Sequence, residues 1–266
     1  MNHYHQQYVP VFQQSPTDSM IDHTRERVVE LNLQGLLVMQ KGKHYDALVY
    51  FNQALKDLVV MEDITSKQSA IGINKRVSYE KQGRKALVSV SLVSAEHDKT
   101  SAYDEAFALF DRALHLQLNE ISLSNENFCH IASAVLTYNA ALAHHLSGLA
   151  IGNSGLLLKA LDLYSMAYTS LTNQDTFLQQ CPLTINFCLL ALANNIGHIH
   201  TYFRSFDKTG ICGDELAMRL NAVVPREQEM IAILDTEEGI LPDEYKVFLL
   251  NTCLFNEEDF TAAPAA

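Results

Sequence analysis

Leu31-Asn32-Leu33-Gln34-Gly35, then Gly42-Lys43-His44-Tyr45-Asp46-Ala47, then Phe51 and Ala54-Leu55: these residues decide the fold. Their spacing predicts two helices joined by a tight turn. Gly35 lets the second helix cross close to the first, and Gly42 supplies the turn between them. Ala47 and Ala54 are small where two helices touch, and Phe51 is the knob that fills the gap. A unit of this size cannot bury its apolar face alone, so further units of the same kind are expected along the chain.

Working outward, Val28, Leu31, Gly35, Val38 and Met39 mark the apolar face of the first helix, and Ala47 to Leu58 that of the second. Asn127–Leu149 is the strongest helical stretch, with no Gly or Pro before Gly148. AIGNSG then reads as a loop, and Leu156–Leu171 follows with Ala160, Tyr164 and Ala167 at the spacing of Ala47, Phe51 and Ala54. A third echo starts after Pro182, where Gly197 takes the place of Gly35; its second helix falls near Gly213–Val223 and lacks the aromatic knob.

Three stretches depart from this rhythm. Residues 61–100 begin polar and carry Lys75, Arg76, Lys81, Arg84 and Lys85. They then alternate Val and Ser over 86–93, the period of a strand. Residues 103–118 admit two readings. A repeat-like spacing of Tyr103, Ala106, Phe110 and Ala113 favours helix; alternation of Leu114, Leu116 and Leu118 allows a strand paired with 86–93. Tyr245–Phe255 is apolar, aromatic and β-branched, so it is expected as a strand joining the same small sheet. Pro225 opens a short helix over Arg226–Leu234. Domain limits follow: a disordered or loosely docked arm over 1–21, a helical domain over 22–255 with an insertion at 61–100, and a flexible tail over 256–266.

The chain of 266 residues is 48% hydrophobic and carries a net charge of −12. That balance argues against nucleic acid, whose phosphates require clustered Lys and Arg, and against an anionic membrane surface. No apolar run reaches the roughly 18 residues of a membrane span, and the N-terminus lacks the pattern of a signal peptide. Five cysteines without a CxxC pair fit reduced, buried thiols. The expected location is therefore intracellular, first the cytoplasm and alternatively the nucleus.

Candidate chemistry is sparse. His144 and His145 are adjacent, and His198 and His200 are two apart, so neither pair shares a helix face as metal ligands at i and i+3 or i+4 do. No HExxH, GxSxG, GxGxxG or GxxxxGK[ST] motif is present. The sequence implies no catalytic residue, no metal and no cofactor. Ser78, after Lys75-Arg76-Val77, fits a basophilic kinase site, against the plain reading of a solvated loop.

The Leu31–Leu55 unit resembles a tetratricopeptide repeat, the helix–turn–helix that recurs about every 34 residues in solenoids. The resemblance is full over 28–60, partial over 127–171 and faint over 183–223. It implies a mainly α fold, a superhelical array of antiparallel helix pairs, with a small β element from the inserted and C-terminal strands. In such arrays the first helix of each pair lines a concave groove. Carried onto this chain, that lining includes Asn32, Leu36, Met39, Tyr138, Leu142, His145, Asn194, His198 and Tyr202. The groove is neutral and largely apolar, unlike the charged clamps of chaperone adaptors. It implies a non-enzymatic scaffold that binds a helix or an extended peptide of a protein partner. Two alternatives stand beside it: a structural subunit that homo-oligomerises, and a metal-binding or enzymatic protein using the clustered histidines. The lining is equally open to being internal core, covered by the chain's own residues 236–266.

Overall fold

The computed structural model describes residues 16–70, 87–92, 108–117, 125–173, 182–223 and 247–252. The helices are α1 (Pro16–Gln40), α2 (His44–Ala70), α3 (Asn125–Ile151), α4 (Ser154–Thr172), α5 (Pro182–Tyr202) and α6 (Phe206–Val223). A short helix, α7, covers residues 247–252. Strands β1 (Leu87–Ser91) and β2 (Arg112–Leu116) pair antiparallel, with Leu87 opposite Leu116 and Ser91 opposite Arg112. Among the described residues the fold is mainly helical with a small two-stranded antiparallel sheet.

The helices come in pairs because the connections between them are short. At the first, Gly42 has φ of 73°, and its N–H donates to the Met39 carbonyl at 2.8 Å, closing α1 before α2 begins. Within this pair a Cβ on Gly35 would stand within 2.9 Å of three carbons of the Phe51 ring, so only glycine fits there. Ala47, Phe51 and Ala54 are fully buried. The second pair repeats the device with Ala160, Tyr164 and Ala167, all buried. Its turn shrinks to Gly152-Asn153, and Asn153 caps α4 by accepting from the N–H groups of Gly155 and Leu156 at 2.9 and 3.2 Å. α3 is the hub of the fold, packed against α1, α2, α4, α5 and β2, and its residues Ala140–His145 are all buried.

The structure differs from the sequence reading in several places. Over the described part of 103–118, residues 108–117, the favoured helix is not formed: 112–116 are strand β2, with Ala108–Asp111 leading into it without helical turns. The alternative pairing with 86–93 is the observed one. Within Tyr245–Phe255 the expected strand is not found at the described residues 247–252, which are helical and belong to no sheet. There Phe248 and Asn251, three residues apart, are both buried while Leu249 and Leu250 are exposed, so helical packing outweighs β propensity. α1 starts at Pro16 and buries Ile21, taking up residues assigned to the arm. α2 continues to Ala70, into the expected insertion, and α6 starts earlier than Gly213. The short helix over 226–234, the basic cluster, Ser78 and the tail over 256–266 lie outside the described residues. Among the described residues, no helix is long and apolar enough to cross a membrane.

Candidate binding groove and its asparagine row

The first helices of the pairs, with α7, carry asparagines that converge on one extended stretch, Ala108–Leu114. Asn139 of α3 accepts from the Leu114 N–H at 2.9 Å and donates to the Leu114 carbonyl at 2.8 Å. Asn195 of α5 does the same with Phe110, at 3.0 Å for both bonds. Asn251 of α7 does the same with Ala108, at 2.8 Å for both. A carboxamide carries one carbonyl and one N–H₂, so it can copy the pairing that a neighbouring strand would offer to one residue.

Each grip at the two ends is doubled. Asn32 of α1 donates to the Leu114 carbonyl at 3.1 Å and accepts from the Asn139 amide at 2.8 Å. Asn194 donates to the Ala108 carbonyl at 3.0 Å and accepts from the Asn251 amide at 2.6 Å. Between them, the Tyr138 hydroxyl donates to the Arg112 carbonyl at 3.0 Å. The contacts thus fall on residues 108, 110, 112 and 114. In an extended chain, alternate residues turn their N–H and C=O to opposite edges. The even-numbered residues face the helices, which leaves Ala113 and His115 to face β1. β2 is a strand with β1 on one edge and a row of side-chain amides on the other.

Below the row lies a buried polar relay. The Asn195 amide donates to the hydroxyls of Tyr138 and Tyr164, at 3.2 and 3.1 Å. Tyr164 Oη sits 3.4 Å from His145 Nδ1, and His145 Nε2 sits 3.1 Å from His198 Nδ1. Burial holds both histidines neutral: His145 lies well below the ordinary range, helped by the neighbouring His198, and His198 is lowered to about 4. Burial raises both tyrosines, so the whole relay is uncharged near neutrality. The network can hold a main chain and fix ring orientations. In the neutral pair one of the two facing nitrogens carries the proton and the other accepts the hydrogen bond from it. His144 and His200 do not join it; they lie near Lys159 and Lys208 respectively. Among the described residues, no group of three or more His, Cys, Asp or Glu comes together.

Of the lining residues expected from sequence, Asn32, Tyr138, His145, Asn194 and His198 all enter this network. Leu36, Met39 and Leu142 are buried apolar packing. Tyr202 stands apart, 47% exposed with its ring edge-on to Phe203. Sequence reasoning passed over Asn139, Asn195 and Asn251, the three that make paired contacts. A signal for them was present: the three are evenly spaced along the chain. The face expected to line a groove is not open. It is filled by Ala108–Leu116, with Phe110, Ala113, Leu114 and Leu116 buried. Residues 236–246 and 253–266 lie outside the described residues, while 247–252 contribute Asn251 to the row and Phe248 against Phe110.

Comparison with protein families, with characterised proteins and with solved structures finds no match to this chain.

Proposed function

We propose that this chain is a non-enzymatic interaction scaffold, a tetratricopeptide-like superhelical array whose concave groove holds an extended polypeptide. One observation carries the reading: Asn139, Asn195 and Asn251 each take both backbone groups of one residue, at residues 114, 110 and 108. Such contacts have the two-residue period of an extended chain, and a helix, whose backbone bonds are internal, offers nothing to them. They favour the extended peptide over the helix as occupant. The resemblance of the two buried knob triplets, around Phe51 and Tyr164, supports the array. The scaffold reading is tested by purifying the tagged full-length chain from its own cells beside an Asn195→Leu variant with unchanged circular dichroism. A protein recovered in stoichiometric amount with the first and lost with the second is expected. Recovery of no protein with either overturns it.

The filled groove favours a second reading, a structural subunit that associates with itself. Exposed Val49, Val59 and Val60 on α2, Met166 on α4, and Ile211 and Met218 on α6 give it apolar surface outside the groove. Sedimentation that shows a monomer at high concentration removes it.

A further inference from the structure

Resting on the scaffold reading and deepening it, we propose that residues 108–116 are an exchangeable occupant of the groove. The groove takes in their place an extended segment of another protein with the spacing Phe-x-x-Ala-Leu-x-Leu. The asparagine row supplies the first part of the argument. Every one of its contacts to the segment goes to main-chain N–H or C=O, so the same bonds are open to any extended chain laid in the same direction.

Side-chain pockets then set the pattern. Phe110 lies among aromatic rings, 4.8 Å from Phe248 and 5.9 Å edge-on from Phe187, and is 1% exposed. Ala113 and Leu114 are fully enclosed, and Leu116 is 3% exposed. Leu109, Asp111 and His115 are only half-buried, which loosens the demand at those positions, while the half-buried Arg112 donates from Nε to the Ser89 hydroxyl at 2.7 Å. Ala113 is 0% exposed, so a larger residue there would have to be taken into the core.

The helix pairs close without the segment. Gly35 meets Phe51, and a Cβ on Gly148 would meet Leu157 at 2.8 Å, both contacts inside a pair and away from 108–116. Each of these two contacts joins the helices of one pair and uses no residue of 108–116. The tethered segment competes with any incoming chain at high local concentration, so weakening the segment raises the apparent affinity of the site for a partner.

The test uses the full-length chain carrying Phe110→Ala and a fluorescent synthetic peptide, AFALFDRALHLQL, the sequence of residues 106–118. The variant is expected to bind this peptide at least tenfold more tightly than the unaltered chain does, and the peptide is expected to raise its lowered melting temperature. The same peptide with Ala in place of its second Phe should do neither, and adding Asn195→Leu to the variant should abolish binding. Should Phe110→Ala not fold, Leu116→Ala at the end of the strand replaces it. A folded variant that neither binds the peptide nor gains melting temperature from it overturns the proposal, as does binding that survives Asn195→Leu. Such a failure leaves the scaffold reading standing if a partner protein still co-purifies. Peptide rescue without any co-purifying partner removes the scaffold reading instead.

Discussion

Asn139 and Leu114 are joined twice, the side-chain amide of one copying the peptide group that a strand would present to the other. The two residues are 25 positions apart and come from a helix and a strand. This bond pair explains how an edge of β2 is buried against helices, where unpaired backbone groups are costly.

Removing that grip leaves the Leu114 N–H buried without a partner and frees the Asn32 carbonyl as well. Asn139→Ala is expected to lower stability by about 2–4 kcal/mol, since each buried group left unsatisfied costs about 1–3 kcal/mol. The cap variant Asn153→Ala should cost about 1 kcal/mol. Urea unfolding gives both values. Hydrogen exchange at the Leu114 amide should quicken in Asn139→Ala and stay protected in Asn153→Ala; equal protection in the two would contradict the assignment.

Ordinary helix propensity favours alanine over glycine by about 1 kcal/mol. At Gly35 the sign should reverse, because the added methyl stands inside the Phe51 ring. Gly35→Ala is expected to destabilise by about 1–3 kcal/mol, the usual range for overpacking. Combining it with Phe51→Leu should recover part of that loss, and a double-mutant cycle with no coupling between the two would rule the contact out as the cause.

The buried histidine pair makes the fold acid-sensitive. His198 titrates at about 4 in the fold against 6.5 when unfolded, because burial disfavours its charged form. The unfolded chain therefore takes up protons first as pH falls. Stability is full above pH 6.5 and declines towards pH 4, by on the order of 3 kcal/mol for His198 at 1.36 kcal/mol per unit. Unfolding measured across this window should show a shallower slope in a His145→Leu, His198→Leu double variant. Parallel slopes would falsify the role given to the pair.

Cys188 and Cys212 are both buried, and burial pushes each thiol up to about 12. Only the thiolate attacks aromatic disulfide reagents, so both should label at negligible rate in the native protein and rapidly in denaturant. Mass spectrometry of the labelled peptides reads the two sites separately; fast native labelling at Cys188 would show that α5 opens readily.

Some of this architecture was legible in the residues themselves. Gly35, Gly42, Ala47, Phe51 and Ala54 encode a helix pair through contacts within a few turns, and the echo at Ala160, Tyr164 and Ala167 repeats it. Local rules suffice there because spacing alone decides which residues face each other. The same rules found Asn32, Tyr138, His145, Asn194 and His198 on first-helix faces.

They favoured helix over Tyr103–Leu118 and strand over Tyr245–Phe255, and at 112–116 and 247–252 the structure has the opposite, because short apolar runs suit helix and strand alike. In both cases the state was set from outside. Ala108–Leu116 is extended because amides from α1, α3, α5 and α7 complete its backbone bonds on one edge and β1 lies on the other. Residues 247–252 are helical because that turn brings Phe248 to Phe110 and Asn251 to Ala108 together. The sequence by itself determined the helix pairs, their knobs and their small-residue contacts. Only the tertiary structure decided that Ala108–Leu116 is held extended against the asparagine row, since those bonds join residues as far apart as Ala108 and Asn251, and no local pattern encodes a partner 143 positions away.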